Sequence, residues 1–93
     1  MKATVRKPNK EETNFMQTCE TWEHEAGKFD WEYKEKQETC LIIEGEGLVR
    51  DKETNEISSF KEGDLVIFPT NWDCEWEIKK DIKKYFVFDH NFK

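Results

Sequence analysis

Ninety-three residues carrying a net charge of −6, with 39% of them charged, set narrow bounds. A chain of this length builds one domain around one modest core, and its acidic balance argues against a nucleic-acid partner, which calls for a basic patch. No apolar run approaches the roughly 20 residues of a membrane helix, and the polar stretch 1–10 lacks the apolar centre of a signal peptide, so no membrane association and a cytoplasmic location are expected. Cys19, Cys40 and Cys74 form no CxxC pair and leave at least one thiol unpaired, as in a reducing compartment. Four Trp, seven Phe and two Tyr offset the small size, because each buries a large area.

Residues 3–6 predict a short first strand. Pro8, Asn9 and the run Lys10–Gln17 predict a turn and then a helical turn ending near Thr18. Trp22–Glu25 is open between loop and strand. Gly27 breaks the chain before Phe29–Tyr33, whose strict alternation places Phe29, Trp31 and Tyr33 on one face of a half-buried strand and Asp30 and Glu32 on the other. The next strand, Glu38–Ile43, sets Glu38, Cys40 and Ile42 against Thr39, Leu41 and Ile43. Glu44–Gly47 predicts a turn, and Leu48–Asp51 and Ile57–Phe60 predict a hairpin across the polar loop 52–56. Leu65–Phe68, bounded by Gly63–Asp64 and Pro69, is a short apolar run expected to be buried on both faces, and the other strands are laid beside it. Asp73–Lys79 alternates, with Cys74, Trp76 and Ile78 on one side. Lys79–Asp81 and Lys83–Lys84 are expected as solvated turns, Lys84–Phe88 supplies a last strand, and His90–Lys93 is expected to fray. About eight short strands with regular turn signals imply an all-β domain, a small antiparallel sandwich or barrel.

Glu38, six intervening residues and Gly45, and Gly63, five intervening residues and Pro69, resemble the end of the first and the start of the second cupin motif. Phe29–Asp30–Trp31, Tyr33, Glu38–Thr39–Cys40, Gly63–Asp64–Leu65–Val66 and Cys74–Glu75–Trp76 together resemble the cupin domain family related to ureidoglycine aminohydrolase, over about residues 22–89. The resemblance implies a single domain over 1–93 whose motif-bearing part, about 22–89, is an antiparallel jelly-roll barrel, and a tendency to dimerise. In metal-binding members it implies two His one residue apart before the Glu, where Trp31 and Tyr33 stand here, and a third His where Cys74 stands; of the family's ligands only Glu38 is kept. Tyr85 is a further candidate for the barrel interior.

Trp31, Tyr33, Glu38, Cys40, Cys74, Trp76 and Tyr85 are therefore the candidate ligand-binding residues, with Glu38 and Cys74 as candidate catalytic groups. A metal site combines three or four His, Cys, Asp or Glu ligands; the barrel interior offers Glu38 and Cys74, with Cys40 as a third, and no His, so no cofactor is expected, with a divalent metal on Glu38 and Cys74 as the alternative. The simpler reading, which is preferred, is that Cys40 and Cys74 are small buried residues and that Glu38 is held by hydrogen bonds. His24 and His90 lie outside the motif positions, and His90 is expected at the surface. The aromatic set reads either as core or as the lining of a small-molecule pocket, where Glu38 among rings would resist ionisation. An exposed Leu41/Ile43 face would pair with a second copy in a homodimer. Three functions follow: metal-free binding of a small molecule, a metal-dependent ammonia-releasing hydrolase of the ureidoglycine type, or a dimerising interaction module.

Overall fold

The computed structural model describes residues 2–90. Seven strands and one helix follow in the order β1 (Thr4–Arg6), α1 (Lys10–Met16), β2 (Glu20–His24), β3 (Gly27–Tyr33), β4 (Glu38–Asp51), β5 (Ile57–Lys61), β6 (Leu65–Phe68) and β7 (Trp72–Phe88). All pairings are antiparallel, in the order β1-β6-β4-β7-β2, with β5 added to β4 and β3 to β7. This is the expected antiparallel jelly-roll barrel in small form, with a sheet that does not close.

Two long strands replace four expected short ones. The sequence Glu44–Gly47 reads as a turn, yet β4 runs through it, and β7 runs through the charged stretch Lys79–Lys83. The two strands pair along their lengths, with register shifts between Ile42 and Gly47. A Gly-rich tetrapeptide serves a bulge as well as a turn, because both need conformations or close approaches that a Cβ forbids. On one side of the bulge β4 pairs with β6 and β7 with β2; on the other β4 pairs with β5 and β7 with β3. The bend thus folds one sheet into two facing halves.

Between the halves lies the main core, in which Val49, Phe60, Val66, Phe68, Trp76 and Ile78 are buried. As expected, β6 is largely buried on both faces, because α1 covers its outer side: Met16, Leu41 and Leu65 form a second cluster with Phe15, Tyr85 and Val87 packed against it. This corrects two expectations. Leu41 is not an exposed dimer surface but 7% exposed beneath the chain's own helix, and Tyr85 faces this outer cluster, not the interior. Strand parity is the reason, since Tyr85 is opposite Leu41 in the ladder. His90 stacks on Phe15 of α1 with ring centroids 4.1 Å apart, which anchors the start of the tail; residues 91–93 lie outside the described residues.

The helix is placed by its cap. Asn9 accepts from Glu12 N at 2.8 Å, and Glu12 Oε1 accepts from Asn9 N at 2.9 Å and from Arg6 Nη1 at 2.8 Å. The Arg6 guanidinium and the Asn9 amide hold the Glu12 carboxyl down at about 2. A carboxyl whose folded pKa is depressed contributes stability above its unfolded value and loses it as pH falls through the folded one. The stability gap between the parent and Glu12→Gln is therefore expected at pH 6, shrinking below about pH 4.5 and closing near pH 2. Urea unfolding at a series of pH values checks this, and a pH-independent gap would show that Glu12 acts through packing alone.

Candidate functional site

Alternation along β2, β3 and β7 directs a set of large rings to one place. Trp22 comes from β2, Phe29 and Trp31 from β3, and Trp76, Phe86 and Phe88 from β7; they wall a cavity of about 200 Å³. Phe29 stacks on Trp76 at 5.9 Å, and Trp22 meets Trp76 edge-on at 6.2 Å. Trp31 is 46% and Phe88 42% exposed. These two mark the mouth, where Lys36 Nζ lies 5.5 Å over the Phe88 ring.

The inner end is polar. Tyr33, Glu38 and Lys84 line it and are 3%, 6% and 4% exposed. Tyr33 Oη donates to Glu38 Oε1 at 2.7 Å, and Lys84 Nζ donates to Glu38 Oε2 at 3.1 Å. The ammonium also lies 4.7 Å from the Trp76 centroid, 4.8 Å from Trp22 and 5.7 Å from Phe68. A cation over these ring faces is stabilised by their quadrupoles, and more so when shielded from water. Burial works against the Lys84 ammonium, but the Glu38 carboxylate, charged and hydrogen-bonded to it, outweighs burial and holds the pKa above the ordinary lysine value. Burial, reinforced by Glu38, pushes the Tyr33 phenol far up, so it remains an O–H donor.

Of the residues expected from sequence, Trp31, Tyr33, Glu38 and Trp76 meet at this cavity. Cys40 and Cys74 are fully buried and do not line it; Cys74 Sγ lies 3.6 Å from the Trp31 carbonyl. Burial pushes the Cys74 thiol up to about 12 and the Cys40 thiol up as well. Both are protonated at neutral pH, and a thiol in that state is a poor nucleophile. Lys84 corrects the expectation of a solvated turn. It lies inside because β7 is one strand and Lys84 shares the face of Trp76. Phe29, on the face that alternation gives to Trp31 and Tyr33, completes the walls together with Trp22, Phe86 and Phe88, which the sequence does not single out.

The donor set does not fit a metal. Both Glu38 oxygens are engaged by Tyr33 and Lys84, and an ammonium stands 3.1 Å from one of them. Among the described residues no three His, Cys, Asp or Glu side chains gather to hold a metal ion. His24 stacks on Trp22 at 5.3 Å on an exposed strand end, and His90 packs on α1. Among the described residues no helix is long and apolar enough to cross a membrane.

The EutQ-like cupin domain matches residues 11–86. A DUF861 family protein from Thermotoga maritima superposes with a TM-score of 0.84 at 31% identity, covering 92% of this chain and 98% of that one. The Clostridium difficile EutQ protein superposes over 73% of this chain and 52% of its own, with a TM-score of 0.65 and 18% identity. A DUF1255 protein from Acidithiobacillus ferrooxidans does so over 70% and 60%, with a TM-score of 0.64 and 15% identity. No curated protein matches the chain. A family match across most of the chain, together with a structural relative of nearly identical extent, makes this protein a member of the EutQ-like cupin family.

Proposed function

We propose that this protein is a cupin that binds a small molecule without a metal, with Lys84 as the cation of the site. The observation that carries the reading is the Lys84–Glu38–Tyr33 cluster closing the inner end of an aromatic cavity. Pockets that bind small ligands combine apolar walls with a few placed polar groups. Burying a lysine and a glutamate in a small barrel is costly unless they are paired, and replacing such a pair with apolar residues is often neutral or stabilising. A charged pair placed at the end of a cavity supports a binding role over a packing one.

The ureidoglycine type of hydrolysis calls for a manganese site, and the residues around Glu38 do not supply one. The metal-free reading is therefore preferred. It is tested on protein dialysed against chelator, with a panel of neutral one-ring compounds followed by tryptophan fluorescence and thermal shift. Saturable binding is expected, with affinities unchanged when manganese or zinc is restored. Binding that required added metal would overturn the metal-free reading, and the absence of any binder would overturn the binding role.

A further inference from the structure

The hydrogen-bond balance around the cavity is uneven. Glu38 accepts from Tyr33 on one oxygen and from Lys84 on the other, and the Tyr33 hydroxyl spends its proton in doing so. Lys84 has three N–H groups: Glu38 is the one oxygen among the described residues that receives them, and the rest of the ammonium is met by the Cys40 sulfur and the Trp22 and Trp76 rings. No second oxygen reaches the Lys84 ammonium among the described residues, so the inner end has room for an incoming oxygen acceptor at Lys84.

Charge points the same way. Lys84 faces the cavity, and Lys36 stands over Phe88 at its mouth. Among the described residues the one carboxylate that lines the cavity, Glu38, is already paired. Glu20, opposite Phe86 in the ladder, is exposed and does not line it. Around the donors the walls are rings. The volume of about 200 Å³ is smaller than the pockets that take drug-sized ligands, so the occupant is small.

We infer that the cavity takes a small monocarboxylate with an apolar body of about one ring. Its carboxylate joins Glu38 on the Lys84 ammonium, and its body lies among Phe29, Trp31, Phe86 and Phe88. This rests on the reading of the cavity as a binding site and adds the sign and chemistry of the ligand. Neutral carbonyl compounds satisfy the donors without the charge, and amines meet Lys84 as like charge.

The test is a matched series of benzoate, benzamide and benzylamine, titrated into the full chain and followed by tryptophan fluorescence. Benzoate is expected to bind about tenfold more tightly than benzamide, because a charge-assisted bond replaces a neutral one. Benzylamine is expected not to bind. Lys36→Glu, an exposed change that leaves the fold intact, is expected to weaken benzoate several-fold and leave benzamide unchanged. In Glu38→Gln the ammonium has lost its carboxylate, so benzoate is expected to raise the melting temperature of this variant more than that of the parent. Benzamide or benzylamine binding as well as benzoate would overturn the inference while leaving the cavity a binding site. Failure of all three compounds, and of the wider neutral panel, would overturn both.

Discussion

Lys84→Met is expected to lower the stability of the fold by about 3–5 kcal/mol, the cost of leaving a buried partner charge uncompensated. The side chains of Lys84 and Glu38 are 5% and 8% exposed, so water cannot replace the missing ammonium. Methionine keeps the apolar stem against Trp22 and Trp76, which isolates the charge from the packing. The double variant Lys84→Met/Glu38→Gln removes both charges and leaves an amide for Tyr33, so it is expected to recover most of the loss. Urea midpoints of the parent, both single variants and the double variant close the cycle. A double variant no more stable than Lys84→Met would mean that the loss comes from packing. Because the Lys84 pKa is raised, the contribution of the ammonium is complete below the ordinary lysine value near 10.5 and is lost as pH rises through the higher folded value.

The same pair shows what the sequence conceals. Alternation in Phe29–Tyr33 and in Asp73–Lys79 places Trp31, Tyr33 and Trp76 inward, and the cupin-like spacing singles out Glu38; all four line the cavity. Lys84 lies in a cluster of lysines, where composition suggests a turn. The signal that finds it is parity. Cys74, Trp76 and Ile78 continue through Ile82, Lys84 and Phe86 on every second position, and all of them are wholly or partly buried. A charged interruption at Lys79–Asp81 hides the continuity, because β7 is exposed there while its backbone stays paired to β4. Burial of Leu41 is hidden for a different reason: the helix that covers it is only seven residues long, and its docking depends on tertiary geometry that periodicity does not report. Cys40 and Cys74 point inward as the pattern suggests, but the interior holds both a packed core and a cavity, and alternation does not tell them apart.

Gly45→Ala is expected to be the most damaging glycine substitution on the chain. Gly45 has φ +93°, and a Cβ there would strike the backbone carbonyl of Asp81 and lie 2.8 Å from that of Lys80. The backbone strain costs about 1–3 kcal/mol, and a clash with atoms that cannot rotate away adds roughly 1–3 kcal/mol. Gly63→Ala is the control. Its φ of +90° is nearly the same, but its nearest neighbour is the flexible Lys7 Nζ at 3.6 Å, so it is expected to show the strain alone. The excess loss at Gly45 then measures the close approach of β4 and β7 at the bend. That bend also sets the site. Ile42 opposite Lys84 and Val49 opposite Trp76 are all buried in the interior, yet eight positions separate the β7 pair and seven the β4 pair. One residue must be absorbed for both ends of β4 to face inward, and the register shifts around Gly45 absorb it. Gly45→Ala is therefore expected to weaken ligand binding as well as the fold, while Gly63→Ala leaves binding unchanged. Urea unfolding and the benzoate titration on both variants check this, and equal losses for the two would show that the bend is not held at Gly45.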